Sequence, residues 1–150
     1  MANTSLNTQP IYTASADTQW VGAALTANTT KDLTTGTAYL AFTASSTGGG
    51  YVQRLRLRPL GTNVASLARI FINNGSATGT TANNILWDEI TLPATTISET
   101  SALPTYEIPL NFALPPSYRI FVTIATGVAA GFAITVIGCL LYTSPSPRDL

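Results

Sequence analysis

Hydrophobic and polar residues alternate with a period of two over much of the chain, as in strands that are buried on one face. The clearest example is residues 51–59, where two leucines alternate with three arginines. The leucines are Leu55 and Leu57, and the arginines are Arg54, Arg56 and Arg58. A helix would scatter these arginines, so we predict a strand with the leucines inside and the arginines outside.

Other segments share this alternation or are rich in β-branched and aromatic residues. They are residues 11–13, 20–25, 37–43, 67–72, 85–92, 105–110, 118–125 and 132–137. The connections between them are rich in Gly, Pro, Asn, Ser and Thr, and no segment has a convincing helical period. About eight strands with loops of unequal length predict an all-β fold, namely a two-sheet antiparallel β-sandwich of the jelly-roll kind.

The uncharged run at residues 120–142 is long enough to suggest a membrane helix. We predict two strands instead, because the period is two on both sides of the glycines at 127 and 131. We expect residues 118–137 to form an antiparallel pair, central in one sheet, with one face towards the opposite sheet. That face holds Ile120, Val122, Ile124, Phe132, Ile134 and Val136. The other face, with Thr123 and Thr135, should tolerate charge unless it is covered.

The 150 residues are expected to form one domain at 11–138, preceded by a polar arm at 1–10 that cannot build a core of its own. Seven acids balance seven bases, so we expect no attraction to nucleic acid or to an anionic membrane. The amino terminus does not resemble a secretory signal, and a single cysteine allows no internal disulfide. We therefore expect synthesis and assembly inside a cell.

Candidate catalytic groups are few, because the chain has no His and its adjacent acids Asp88 and Glu89 point to opposite faces of a strand. We expect no enzyme, no metal and no cofactor. The enzymatic alternative is a small hydrolase in which distant carboxylates, Glu89 and Glu107, converge. The glycines at 48–50 lead into a strand rather than a helix, which argues against a phosphate loop.

Arg54, Arg56 and Arg58 are a candidate anion or subunit contact, because three like charges on one strand face repel each other. We expect a carboxylate within ion-pair distance of at least one of them. Glu89 or Glu107 is favoured; Asp88 or an acid of another subunit would also serve. The alternative is a surface that binds an anionic partner.

Four aromatic residues are a candidate contact for a sugar or a neighbouring protein. They are Trp20, Tyr39, Tyr51 and Trp87. The alternative interpretation is that each belongs to the core or to a subunit interface.

The last twelve residues, CLLYTSPSPRDL (139–150), resemble the translation of a transposase sequencing adaptor. The resemblance implies a reading frame assembled from metagenomic reads, whose natural end after Gly138 was replaced. We therefore expect residues 143–150 to be exposed and without regular structure, while residues 140–142 at most prolong the last strand.

Three further segments resemble small uncharacterised proteins of tailed phages and viral metagenomes. They are LRLRPLGTNVASLARIFINNG (55–75), NNILWDEITLPATT (83–96) and YEIPLNFALPPSYRIFVTIATGVAAGFAITVIG (106–138). The resemblance implies a structural protein of the virion, either a capsid decoration or a tail-associated subunit. We expect a homo-oligomer, with a trimer favoured, that contacts other virion proteins. The alternative is a receptor- or glycan-binding module of a phage tail.

Overall fold

The structure, a computed structural model, describes residues 11–143 and contains eight strands in that range. They are β1 (Ile11–Ala24), β2 (Tyr39–Thr43), β3 (Gly50–Pro59), β4 (Ser66–Asn73), β5 (Asn84–Leu92), β6 (Tyr106–Leu114), β7 (Arg119–Ile124) and β8 (Phe132–Thr143). A 3-10 turn at Thr81–Asn83 precedes β5. The predicted all-β fold is confirmed, whereas the predicted arm at residues 1–10 lies outside the described residues.

The strands form two four-stranded antiparallel sheets. Sheet I has the order β1-β8-β3-β6, and sheet II has the order β2-β7-β4-β5. Every connection crosses from one sheet to the other except the one between β4 and β5. This is the strand order of a jelly roll, in which two Greek keys wrap around one core.

The strands β7 and β8 lie opposite each other across the core, so their predicted pairing within one sheet is wrong. β7 lies between β2 and β4 in sheet II, and β8 lies between β1 and β3 in sheet I. Their central position is confirmed, and all six apolar residues of the predicted face are fully buried. No helix among the described residues is long and apolar enough to cross a membrane.

A buried asparagine holds the end of the loop at 125–131, which crosses from sheet II to sheet I. The Asn63 side chain accepts hydrogen bonds from the amides of Ala130 and Gly131, both at 2.9 Å, and donates to the Gly131 carbonyl at 2.9 Å. At the other end of the loop, the Ala125 amide donates to the Leu67 carbonyl at 2.8 Å. One end of the loop is thus fixed to the β3–β4 connection and the other end to β4. The chain enters the loop from β7 in sheet II and leaves it into β8 in sheet I.

The first strand is one long element instead of the two short strands predicted at 11–13 and 20–25. The polar residues between them pair with β8, which satisfies their backbone groups without an apolar pattern. Gln19 also connects the two sheets, because its amide nitrogen donates to the Thr43 carbonyl at 2.9 Å and its oxygen accepts from the Thr43 amide at 2.8 Å. Backbone pairing here outweighs the weak sequence pattern.

The last strand continues past Gly138 to Thr143, where it pairs with Ile11. The expectation that residues 140–142 prolong the strand is confirmed, and the expectation that Thr143 has no regular structure is wrong. A ladder of backbone hydrogen bonds accepts almost any side chain, so an adaptor-like segment can extend a strand that is already paired. Residues 144–150 lie outside the described part of the chain.

The third strand contains a β-bulge at Gln53, so its alternation is not as strict as predicted. The register shifts between Val52 and Arg54 against both neighbouring strands. Val52 and Leu55 are therefore both buried although they are three residues apart. Gly138 faces the bulge, where a Cβ would collide with the Tyr51 carbonyl.

Candidate binding surface

The outer face of sheet I carries the three arginines of β3, here called the arginine stripe (Arg54, Arg56 and Arg58). All three are exposed, while Leu55 and Leu57 between them are fully buried. Alternate residues of a strand lie about 6.7 Å apart, so three guanidinium groups share a short stretch of surface. The predicted division of β3 into an apolar inner face and a cationic outer face is confirmed from Arg54 onward.

No carboxylate among residues 11–143 lies within 4.0 Å of the arginine stripe, so the predicted ion pairs with Glu89, Glu107 or Asp88 of the same chain are wrong. Glu89 lies in the other sheet, where its Oε1 is 3.6 Å from Arg69 Nε. Glu107 is the register partner of Arg56 on β6 but does not reach it. The contact found is neutral, since Arg58 Nη1 donates to Thr105 Oγ1 at 3.0 Å.

A cross-strand row connects the stripe to an exposed tryptophan. From β1 to β6 the row runs Trp20, Thr135, Arg56, Glu107. Trp20 is 74% exposed and lies on the edge strand β1. Sheet I therefore presents an aromatic residue, a half-buried threonine and a cation side by side on one open face.

An open depression lies beside one end of the stripe. It has a volume of about 260 Å³ and is lined by Gln53, Arg54, Glu107, Pro109 and Asn111. Its walls bring one guanidinium, one carboxylate and two amides together, which suits a polar contact rather than an apolar ligand.

The four aromatic residues predicted as one contact are not brought together. Tyr51 is on the outer face of sheet I, but its register partner on β8 is Cys139, four positions from Thr135, the partner of Trp20. Trp87 lies on β5, and its ring packs edge-to-face against Phe112 at 4.7 Å between centroids. Trp20 and Tyr51 share a face without touching, and Trp87 belongs to a different surface.

Tyr39 instead anchors the connection between β1 and β2. Its phenol oxygen accepts hydrogen bonds from the amides of Leu25 and Thr26, both at 3.0 Å. Burial raises the pKa of Tyr39, and the amide hydrogen bonds lower it by more, so that the pKa lies below its ordinary value. The phenol is therefore a structural acceptor.

The edge of sheet II forms a second exposed surface, here called the β5 edge (Ile85, Trp87, Asp88 and Glu89). Ile85 is 62% exposed and Trp87 is 47% exposed. The register of β5 shifts beside Trp87, which marks a bulge on a strand that pairs on one side only. Asp88 and Glu89 add two exposed carboxylates to this apolar edge.

The outer face of sheet II is covered by loop 25–38, a feature that the sequence analysis missed. Leu33 of this loop packs on Phe71 and Phe121 to form a second, smaller apolar cluster. Asn28 closes the loop, since its side-chain nitrogen donates to the carbonyls of Thr35 and Thr37, both at 3.0 Å. The outward-facing Phe71 and Phe121, each on a strand whose other face is also apolar, were the available signal.

Catalytic and metal-binding groups do not converge in the described residues. No group of three metal-ligating side chains is present there. Asp88 lies opposite Ile70 and Glu89 lies opposite Arg69, so the two acids are on opposite faces of sheet II. Glu107 is in sheet I, so the carboxylates proposed for a hydrolase lie in different sheets.

No protein-family model matches the chain, and no curated protein has significant similarity to it. The strand order, the two exposed surfaces and the covered face of sheet II therefore carry the functional argument.

Proposed function

We propose that this chain is a structural subunit of a virion, either a capsid decoration or a tail-associated protein, that works by assembling with copies of itself. The observation that carries the proposal is the jelly-roll strand order, β1-β8-β3-β6 against β2-β7-β4-β5. This architecture is frequent in the coat proteins of viruses. The likeness to coat proteins is one of architecture, and one architecture serves many functions. The exposed surfaces add physical support for assembly.

The exposed apolar residues are consistent with a subunit that has neighbours. Trp20 and the β5 edge leave large side chains in water on two different sides of the sandwich. Charged residues make up only 9% of the chain, less than the roughly 25% of an average soluble domain. A surface with few charges and exposed aromatic residues gains free energy when a second protein covers it.

Light scattering coupled to size-exclusion chromatography tests the assembly. We expect a discrete oligomer, with a trimer favoured, whose fraction rises with protein concentration. A monomer at every concentration would contradict the proposal. Immunogold electron microscopy of native particles then tests the location, and label that stays with the soluble fraction would count against a virion protein.

The second candidate function is a receptor- or glycan-binding module, which the high exposure of Trp20 favours. An indole on an open sheet face is suited to stack on a sugar ring. A glycan array probed with wild-type protein and with Trp20→Ala tests this candidate. Binding that is lost in the variant supports it, and absence of wild-type binding removes it.

A further inference from the structure

Half of the basic side chains of the described residues lie together on the outer face of sheet I. Three of the six basic residues between 11 and 143 form the arginine stripe. Two of the others have partners within the chain: Arg69 contacts Glu89, and Arg119 donates to Asn73 Oδ1 at 2.8 Å and to the Ser76 carbonyl at 2.7 Å. The stripe is therefore the main cationic surface for which the described residues provide no carboxylate within 4.0 Å.

The repulsion within the stripe makes an opposing acid favourable. Like charges about 6.7 Å apart lie inside the Debye length of about 8 Å at physiological salt, so water and ions screen them incompletely. The uncharged Thr135 on β8 offers no compensation to Arg56, and Glu107, its register partner on β6, does not come within 4.0 Å of it. A carboxylate from another molecule would relieve this repulsion and gain hydrogen bonds to a guanidinium fork.

The complementary chemistry is on the β5 edge of the same protein. Asp88 and Glu89 are exposed there beside Ile85 and Trp87. The stripe likewise has an exposed aromatic residue in its row, Trp20. The stripe thus presents three cations beside one carboxylate, Glu107, and β5 presents two carboxylates and no cation, so the net charges of the two surfaces are opposite.

The two surfaces face different directions, which determines the kind of contact. The strands β5 and β6 are edges of opposite sheets on the same side of the sandwich, as the Trp87–Phe112 ring contact requires. The β5 edge therefore points sideways, while the stripe points outward from sheet I. A contact between two different surfaces of identical subunits is head-to-tail, and it closes into a ring when successive rotations add to a full turn.

We propose that the arginine stripe of one subunit docks on the β5 edge of the next copy of this chain. Asp88 approaches Arg56 or Arg54, and Trp87 and Ile85 are covered by the outer face of sheet I. This contact is the interface of the proposed self-assembly, so the inference rests on that proposed function. The test must therefore separate loss of this contact from absence of assembly.

Charge reversal on each surface, alone and combined, gives that separation. Arg56→Glu places like charges at the contact, and Asp88→Lys does the same from the other side. We expect each variant to raise the dissociation constant of self-association by about tenfold or more, since opposed like charges are costly at an interface. The double variant Arg56→Glu/Asp88→Lys restores opposite charges, and we expect it to assemble within about threefold of wild type.

A matched control is Lys31→Glu, which makes the same charge change on the exposed loop over sheet II. We expect it to assemble like wild type. Thermal melts check that each variant is folded. If Arg56→Glu is not folded, Arg54→Glu replaces it, because the register partner of Arg54 on β6 is Pro109 and the new carboxylate does not face Glu107. Light scattering over a concentration series measures all variants.

The outcomes distinguish the two proposals. Wild-type assembly that neither single reversal weakens would overturn the docking contact and leave the proposed function standing. Single reversals that weaken assembly without recovery in the double variant would also overturn the contact. A wild-type protein that remains a monomer would overturn both.

Discussion

The outer faces of the two sheets both carry threonine and arginine, but the face of sheet II is covered and the face of sheet I is open. On sheet II, loop 25–38 covers Thr123, which is fully buried, and Arg69, which is 9% exposed. On sheet I, the corresponding threonine and arginine, Thr135 and Arg56, are not covered by any described segment. The difference shows that the role of a polar residue on a strand depends on what lies above it.

The covered face must satisfy its polar groups, and it does so incompletely. Arg69 Nη1 donates to the Asn28 carbonyl at 3.3 Å, and Glu89 lies 3.6 Å from Nε. Arg69 Nε and Thr123 Oγ1, which belong to register partners, have no hydrogen bond although both are buried. On the open face, water meets the same requirement at no cost to the fold.

The largest effect should come from the same substitution at the two threonines. Thr123→Lys forces a buried ammonium beside Arg69, and we expect a loss of about 3–5 kcal/mol in the free energy of unfolding. Thr135→Lys leaves its charge in water beside Arg56, and we expect a loss below about 1 kcal/mol. Urea denaturation measures both, and similar losses at the two sites would contradict the contrast between the faces.

Local pattern predicted the strands and their buried faces better than it predicted their neighbours. The period of two identified the six buried residues of β7 and β8, because the direction of a side chain follows from backbone geometry alone. The loop at 125–131 crosses between the sheets and is held there by Asn63, which is far away in sequence. No period carries that information.

The features of the candidate surfaces differ in how well the sequence predicted them. The stripe followed from alternation, and the bulge at Gln53 had a signal in the spacing of three between Val52 and Leu55. The covering of Thr123 by loop 25–38 had a less direct signal, the outward-facing Phe71 and Phe121 on strands whose other face is also apolar. The predicted ion pair with Glu89 is absent because β3 and β5 belong to different sheets, and Glu89 lies beside Arg69 instead. Glu107 is in the predicted neighbouring strand but does not come within 4.0 Å of Arg56.

An intermediate effect should come from removing one arginine from each face. Arg69→Ala removes a charge-assisted hydrogen bond to the Asn28 carbonyl and leaves a gap under the loop, so we expect a loss of about 2 kcal/mol. Arg56→Ala removes a like charge from an open face, and we expect a change within about 0.5 kcal/mol. Thermal or urea unfolding, at a protein concentration too low for assembly, compares the stabilities of the two variants.

Two results would contradict this second prediction. Equal destabilisation would mean that the stripe has an unrecognised partner within the chain. A stable Arg69→Ala protein would mean that loop 25–38 is held by Asn28 and Leu33 without the buried guanidinium.

The smallest effect should come from Asp32, which shapes the covering loop from its exposed side. The amide and hydroxyl of Thr34 both donate to its carboxylate, at 3.1 and 2.9 Å. These hydrogen bonds hold the pKa of Asp32 below its ordinary value of 3.8. A lowered pKa in the folded state means that the ionised carboxylate stabilises the fold above pH 3.8. This contribution is lost as the pH falls through the lowered value.

Asp32→Asn tests this pH dependence because it keeps an acceptor oxygen and removes the charge. We expect wild type to be slightly more stable than the variant at neutral pH, and the difference to vanish in acid. A carbon-detected NMR titration of the Asp32 carboxyl should give a midpoint below 3.8. A midpoint above that value would show that the Thr34 hydrogen bonds do not favour the ionised carboxylate, and the loop over sheet II would then be held by Asn28, Leu33 and Arg69 without them.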